Sequence, residues 1–401
     1  MSLRHRLSSA LSQAERVLPI PRVVRPAVRL GIGLIDDGAL ATAPPPPAPT
    51  SETRLAAADP KRSPPNYTEF AKSMGIPVKE GPRGTESVQV AFPATYAWEY
   101  HSERADLRAL YEKSKDLMWN ARTDLDWSTD VDPESELVVP DILNPIFGTD
   151  MWRKLDEKRD LPRLRRHIGA YLISNFLHGE RGALLATAQI VDAAPTMDAK
   201  LYGAAQFYDE ARHVEAYDRY LREKFELVYP TSPHLKQLLD TILEDSRWDF
   251  KYLGMQIMVE GVALAAFGLI HQSSGEPLIK SITEMIMQDE SRHVAFGVLS
   301  LKDVYLEMKP SELRDREDFI LESSRLLRDR FLAQEVWEMC GLPRKECEAA
   351  VATSPLMAVF RKLLFSKIVP NTKRLGLLTP YVRKGFEDLG VIGYEHHEAS
   401  A

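Results

Sequence analysis

Three features of the 401-residue sequence predict an all-α protein built around a bundle of long antiparallel helices. From about Tyr96 onward proline is sparse, and apolar residues recur at helical spacing. Alternating β-branched runs, the mark of strands, are nearly absent. Proline and glycine punctuation then sets off four consecutive stretches of about 30 residues or more with short connections, a length and spacing that fit helices packing as a bundle.

The first stretch opens at Leu161-Pro162 and runs to about Asp192, and the second opens at Ala194-Pro195 and ends near Tyr229-Pro230. A third spans His234 to about Gln272. Gly275-Glu276-Pro277 introduces the fourth, which reaches Met308 before Pro310. Further helices at about 311–340, 345–368 and 376–388 are expected on the outside. Ahead of the helical region, Ala43-Pro44-Pro45-Pro46-Pro47-Ala48-Pro49 cannot continue a helix, so 43–65 is expected to be an extended linker. The organisation expected is an N-terminal arm (1–42), this linker (43–65), the bundle with its lead-in (66–310) and C-terminal helices packing on it (311–401).

Composition is that of a globular protein, with 44% hydrophobic and 27% charged residues. The net charge of −7 supplies no basic field for a phosphate backbone, so nucleic acid is not an expected partner. Cys340 and Cys347 are the only cysteines; they suit a reducing cytoplasm and structural roles. No apolar stretch approaches the roughly 20 residues that span a bilayer, so no spanning helix is expected. In the arm, Arg4, Arg6, Arg16, Arg22, Arg25 and Arg29 alternate with apolar residues. That pattern fits a loosely ordered arm, a targeting peptide, or an amphipathic helix on an anionic membrane surface.

The chemistry lies on the four long helices. Asp209-Glu210-Ala211-Arg212-His213 on the second and Asp289-Glu290-Ser291-Arg292-His293 on the fourth repeat one pattern, Asp-Glu-x-Arg-His. A Glu and a His three apart share a helix face and can meet at one ion or two adjacent ions. One such pair is common on solvated helices. The other two helices give it meaning: Glu180 lies among Phe176, Leu177, Ala183 and Leu184, and Glu260 among Gln256, Ile257, Ala263 and Leu264. Both glutamates therefore sit on apolar faces. Glu180 and Glu210 are 30 residues apart, as are Glu260 and Glu290, so the chain contains two equivalent helical hairpins.

Four carboxylates converging in an apolar bundle would repel each other and be poorly solvated, at a cost of several kcal/mol per ion. Two divalent cations would neutralise them, with His213 and His293 as neutral ligands. Carboxylate oxygens with a minority of imidazole suit iron or manganese better than structural zinc. Glu180, Glu210, His213, Glu260, Glu290 and His293 are thus the candidate metal ligands.

This arrangement resembles the ferritin-like di-iron carboxylate superfamily, in which two helices each give a Glu and two others each give Glu-x-x-His. The resemblance covers about residues 96–310. In motif it is closest to the hydroxylase large subunits of bacterial multicomponent monooxygenases and to the ribonucleotide reductase small subunit. It implies a ferritin-like four-helix bundle with additional outer helices, holding two iron ions, or a Mn/Fe pair, that activate O2. It further implies that Asp209 and Asp289, with Arg212 and Arg292, support the ligands, Asp289 on His213 and Asp209 on His293. Tyr217 matches the radical tyrosine of the reductase subunit and is a candidate redox residue, with a core tyrosine as the alternative. Phe176, Leu184, Leu264, Phe267 and Met287 are candidate cavity residues, with plain core packing as the alternative. His178, His234 and His271 fall off the ligand pattern and are expected to be structural.

The function expected is a non-haem di-iron oxygenase or oxidase that hydroxylates, N-oxygenates or desaturates a small organic substrate. Electrons would come from a separate ferredoxin or flavin reductase, since no dinucleotide fingerprint or iron–sulfur cysteine set is present. A radical-generating subunit and a ferroxidase or iron-handling protein are the alternatives. A cavity beside the cluster would favour the oxygenase. A homodimer, a cytoplasmic location and peripheral contact of the arm with a membrane complete the expectations.

Overall fold

The computed structural model describes residues 94–399, together with residues 87–90 and Lys72. The N-terminal arm and the proline-rich linker lie outside the described residues. Among the described residues there are helices and no strands.

Helix α1 (Ala105–Asp116) precedes a short α2 (Asp150–Arg153). Helices α3 (Asp160–Ala193) and α4 (Met197–Tyr220) then form the first hairpin. After α5 (Pro233–Glu244), α6 (Trp248–Ser273) and α7 (Pro277–Leu301) form the second. The outside is covered by α8 (Pro310–Asp329), α9 (Gln334–Met339), α10 (Arg344–Thr353), α11 (Pro355–Leu364), α12 (Ile368–Arg374) and α13 (Pro380–Asp388).

The hairpins form where the residues at the turns demand it. Thr196 caps α4 by accepting from the Ala199 N–H. Glu276 caps α7, its carboxylate accepting from Leu278 and Ile279, with Pro277 fixing the first helical φ. The tight contact between the helices of each hairpin buries Ile173, Ala186, Tyr202, Tyr220, Phe267, Ile286 and Phe296 almost completely.

Several expected boundaries shift. The helix anticipated from His234 to Gln272 is two, because Asp245 adopts extended backbone and its side chain accepts from the Arg247 N–H, which competes with the helical ladder. The helix expected to reach Tyr229 leaves regular α geometry at Leu221 and stops at Glu226, which takes left-handed backbone with φ 50°. Helix α7 ends at Leu301, and the segment expected to be one helix over 345–368 breaks at Ser354-Pro355, where Ser354 caps α11.

Helix α6 also corrects the expectation that no stretch is long and apolar enough to cross a membrane: it passes on both counts, but 78% of its most apolar window is buried inside the bundle. Neighbouring helices, rather than lipid, cover that apolar surface.

Candidate metal centre

Glu180 on α3, Glu210 and His213 on α4, Glu260 on α6, and Glu290 and His293 on α7 point at one another from four helices. They form two overlapping groups. Ligand atoms of Glu180, Glu210, His213 and Glu290 lie within 4.8 Å of one another, and so do those of Glu210, Glu260 and His293. Glu210 belongs to both. Glu290 also reaches across, its Oε1 lying 3.3 Å from His213 Nδ1 and 3.5 Å from His293 Nδ1. All six side chains are buried, Glu180 being the most exposed at 5%.

Burial of so many carboxylates sets the electrostatics. Desolvation, then the Glu290 charge, pushes both Glu180 and Glu260 well above the usual carboxylate range. Burial alone would lower the His213 ring, but the Asp289 carboxylate and then Glu180, Glu210 and Glu290 outweigh it and push it up. His293 moves the same way, with Glu290 and Glu210 as the main charges opposing burial. Shared protons would hold the cluster together without cations.

Unpartnered atoms test whether metal ions fit. Glu210 Oε2, Glu260 Oε2, both oxygens of Glu290 and His293 Nδ1 are buried without a hydrogen bond. Buried polar atoms are seldom left so, and here they are all electron-pair donors facing one centre. Oxygen donors with two imidazoles match Fe or Mn. The residues fit the group.

Behind the ligands the two hairpins exchange support. His213 Nε2 lies 3.1 Å from Asp289 Oδ2, and His293 Nε2 lies 3.2 Å from Asp209 Oδ2. Each ring therefore presents Nδ1 to the cluster and Nε2 to a carboxylate, the arrangement that fixes a ligating imidazole and raises its basicity. Arg212 donates to Asp209 and also reaches Asp289 at 3.2 Å, while Arg292 donates to Asp289 and approaches Asp209 at 3.6 Å. The two aspartates and two arginines make a crossed, buried square.

Two supports were not foreseen from the sequence. Trp119, from the irregular segment after α1, donates its indole N–H to Asp289 Oδ2 at 2.7 Å. Nothing in its local sequence marks it. Gln206 donates to Glu210 Oε1 at 3.0 Å and to Glu260 Oε1 at 2.8 Å. Its signal was present, since it lies one helical turn before Glu210 and so shares that face.

Beside the cluster lies a small, partly open cavity of about 20 Å³, room for little more than a water molecule, lined by Glu180, Glu260, Glu290, Phe176, Phe267, Ala263, Asn175 and Arg330, among others. A Cβ added at Gly179, on the same wall, would meet nothing within 4 Å. Of the expected cavity residues, Phe176 and Phe267 line it. Leu184, Leu264 and Met287 do not. Leu184 and Leu264 each follow a lining alanine, Ala183 and Ala263, and are turned about 100° away from it, while Met287 packs on Gly268 with its sulfur 3.6 Å from that residue's Cβ position.

Arg330, also on the lining, is 6% exposed, and its guanidinium makes no hydrogen bond or ion pair within the described residues. Burial lowers its pKa to about 10. Neighbouring Asn175 gives its N–H to the Tyr171 carbonyl but leaves Oδ1 without a partner. Tyr217 is fully buried between Phe176 and Phe267, ring centroids 5.8 and 5.9 Å away, and its hydroxyl is also unpartnered. His178 and His271 sit against the backbone carbonyls of Tyr229 and Lys280, away from the cluster.

Comparison with known proteins gives one family: the model described as P-aminobenzoate N-oxygenase AurF matches residues 101–376. A search of curated proteins gives no match. Among solved structures, a variant of an R2-like ligand-binding oxidase with anaerobically reconstituted Mn/Fe cofactor is 17% identical, with 70% of this chain and 96% of that chain covered and a TM-score of 0.41. An R2-like ligand-binding oxidase with aerobically reconstituted Mn/Fe cofactor (long soak) is 16% identical, with 73% and 95% covered and a TM-score of 0.39.

Proposed function

The chain belongs to the AurF family of oxygen-activating di-iron enzymes, and from that premise we propose that it is an N-oxygenase of a small aromatic amine that carries a carboxylate, an aminobenzoate-like substrate. Enzymes of this family act on a small organic substrate with O2. The observation that carries the finer reading is that the glutamates of the cluster and Arg330 line one cavity.

Glu180, Glu210, His213, Glu260, Glu290 and His293 would hold two iron ions, or a Mn/Fe pair. Two such ions, when bound, supply the electrons and Lewis acidity that O2 activation requires. The protein's part is positional. Asp289 and Asp209 hold the two imidazoles in one tautomer and orientation, with Arg212 and Arg292 compensating their charge. Phe176 and Phe267 offer flat apolar walls to a ring and keep water from the Glu180 edge of the cluster. Arg330 supplies the cationic donor of the lining, so a substrate that places its carboxylate there turns its amine toward the glutamates. A buried guanidinium without an anion is costly, and a substrate carboxylate would remove that cost.

Electrons would come from a separate ferredoxin or flavin reductase. The free Cys340 and Cys347, one half-buried and one buried, support a reducing, cytoplasmic setting.

A radical-generating role is the second reading, favoured by the unpartnered Tyr217 hydroxyl beside the cluster. A cavity with a cationic donor in its lining has no purpose in that role. The test is to load the full chain anaerobically with iron(II), add a chemical reductant and p-aminobenzoate, and admit heavy-isotope O2. Hydroxylamino or nitro product carrying the label supports the reading, and it should vanish in Glu260→Ala. Unlabelled or unoxidised amine from a chain that has bound its iron would overturn it.

A further inference from the structure

The two halves of the cluster are built alike but backed differently. The residue four before each glutamate shares its helix face. Before Glu210 and Glu260 these residues are Gln206 and Gln256; before Glu180 and Glu290 they are Phe176 and Ile286. The duplicated hairpins thus give one pair of carboxylates neutral amide donors and the other pair hydrocarbon.

The amide network is directional. Gln256 donates to Gln206 Oε1 at 3.3 Å, which leaves the Gln206 NH2 to face the glutamates, and both of its hydrogens are used, one on Glu210 Oε1 and one on Glu260 Oε1. Both glutamines are completely buried, so no water competes. Glu210 spans the cluster, its Gln206-bonded Oε1 lying 3.2 Å from His293 Nδ1 and its Oε2, which has no hydrogen bond, 3.5 Å from His213 Nδ1; Glu260 Oε2 also has no hydrogen bond. Gln256 is held against α7 where that helix has no side chain: a Cβ at Gly297 would fall 2.5 Å from Gln256 Cβ. It also lies within the Leu253–Val259 turn of π-helix that ends at Glu260. By contrast neither oxygen of Glu290 accepts a hydrogen bond, Oε1 only approaching the two imidazoles at 3.3 and 3.5 Å, and Glu180 reaches only the His213 ring, at 3.3 Å.

We propose that Gln206, oriented by Gln256, is a positioning residue that fixes the carboxylates of Glu210 and Glu260 for a first-row divalent cation and so makes the Glu210–Glu260–His293 position the tighter of two unequal metal positions. Each amide hydrogen fixes a carboxylate rotamer before the cation arrives, and it does so without adding charge. The Glu180–Glu210–His213–Glu290 group shares only Glu210 with that network, so Glu180 and Glu290, which have no amide donor, keep freedom to change as substrate and O2 enter. This inference rests on the assignment of the six side chains as metal ligands.

Cobalt(II) titration of the metal-free full chain, followed anaerobically by its visible absorption, separates the possibilities. The wild type should bind two ions in two steps of different affinity, and Glu180→Ala should abolish the weaker step while retaining the tighter. Gln206→Met keeps length and burial but has no amide; it should weaken the tighter step about 10- to 100-fold, the range of outer-sphere ligand effects, and alter its absorption band. Gln256→Met should do the same to a smaller degree and serves as the test if Gln206→Met lacks the wild-type helical circular dichroism. Equal steps in the wild type, or an unchanged tighter step in the folded glutamine variants, would overturn the inference while leaving the ligand assignment standing. A wild-type chain that takes up no cobalt would remove that assignment itself.

Discussion

Trp119 and Asp289 are 170 residues apart in the chain, yet the indole N–H donates to Asp289 Oδ2 at 2.7 Å, the same oxygen that lies 3.1 Å from His213 Nε2. One carboxylate oxygen therefore serves the indole, the imidazole and, at 3.2 Å, the Arg212 guanidinium. Its charge is what holds all three. Asp289→Asn keeps the shape but removes that charge and puts an N–H where an acceptor was. We expect the variant to retain its helical content while metal affinity or turnover falls about 10- to 100-fold. Metal analysis and steady-state rates measured together decide this, and wild-type values for both would reduce Asp289 to a structural ion pair.

Tyr217 separates oxygenase from radical generator. Its hydroxyl has no partner, so Tyr217→Phe strands no buried donor or acceptor and should leave the fold intact. In an oxygenase the substrate receives the oxidising equivalents, so product formation should stay within about twofold of wild type, a change of only a few tenths of a kcal/mol in barrier. Electron paramagnetic resonance after the reduced protein meets O2 supplies the opposing outcome: a long-lived tyrosyl signal that disappears in Tyr217→Phe would establish the radical function.

The convergence of the six acidic and imidazole side chains was legible in the sequence because helical periodicity is rigid. Three residues of spacing put Glu210 beside His213, and apolar neighbours at three and four residues turned Glu180 and Glu260 inward. What rests on contacts across the chain was not legible. Trp119 reaches Asp289 from an irregular segment, where no periodicity predicts direction. Arg330 follows the amphipathic outer helix α8 with no local pattern to mark it for burial; it lies against α3, where its carbonyl accepts from the Tyr171 hydroxyl. The break between α5 and α6 escaped notice because Asp245, Ser246 and Arg247 are common on helix surfaces; only the Asp245 side chain bonding to the Arg247 N–H turns them into a stop. Leu184, Leu264 and Met287 were placed at the cavity by proximity to ligands along the helix, whereas the cavity's direction depends on which neighbouring helices leave space.

Glu335 gives the fold a pH dependence that is separate from the metal site. Burial raises its carboxyl pKa from 4.5 to about 7. The native state holds this proton more tightly than the unfolded chain, so the contribution to stability is fully present below about pH 4.5 and is lost as pH rises through about 7. Its size is on the order of 3 kcal/mol. The melting temperature of the wild type should therefore decline between pH 5 and 8 relative to Glu335→Gln, whose neutral amide does not titrate. Parallel melting curves for the two proteins across that range would show that Glu335 does not set it.

Arg330 tests the substrate's charge. Its guanidinium lines the cavity and forms no ion pair with a carboxylate among the described residues. A hydrogen bond to a charged group contributes about 1.5–3 kcal/mol, and each 1.4 kcal/mol is a factor of ten. Arg330→Leu should therefore raise KM for p-aminobenzoate by about 10- to 100-fold. Because the glutamates are untouched, kcat at saturation should change far less, and metal content should not change. A neutral aromatic amine of the same size provides the contrast: it forms no ion pair with the guanidinium, and removing an unpaired buried charge should leave its KM unchanged or lower. Loss of both substrates in equal proportion would mean that Arg330 shapes the cavity without reading charge, and an unchanged KM for the carboxylated amine would place the substrate elsewhere in the protein.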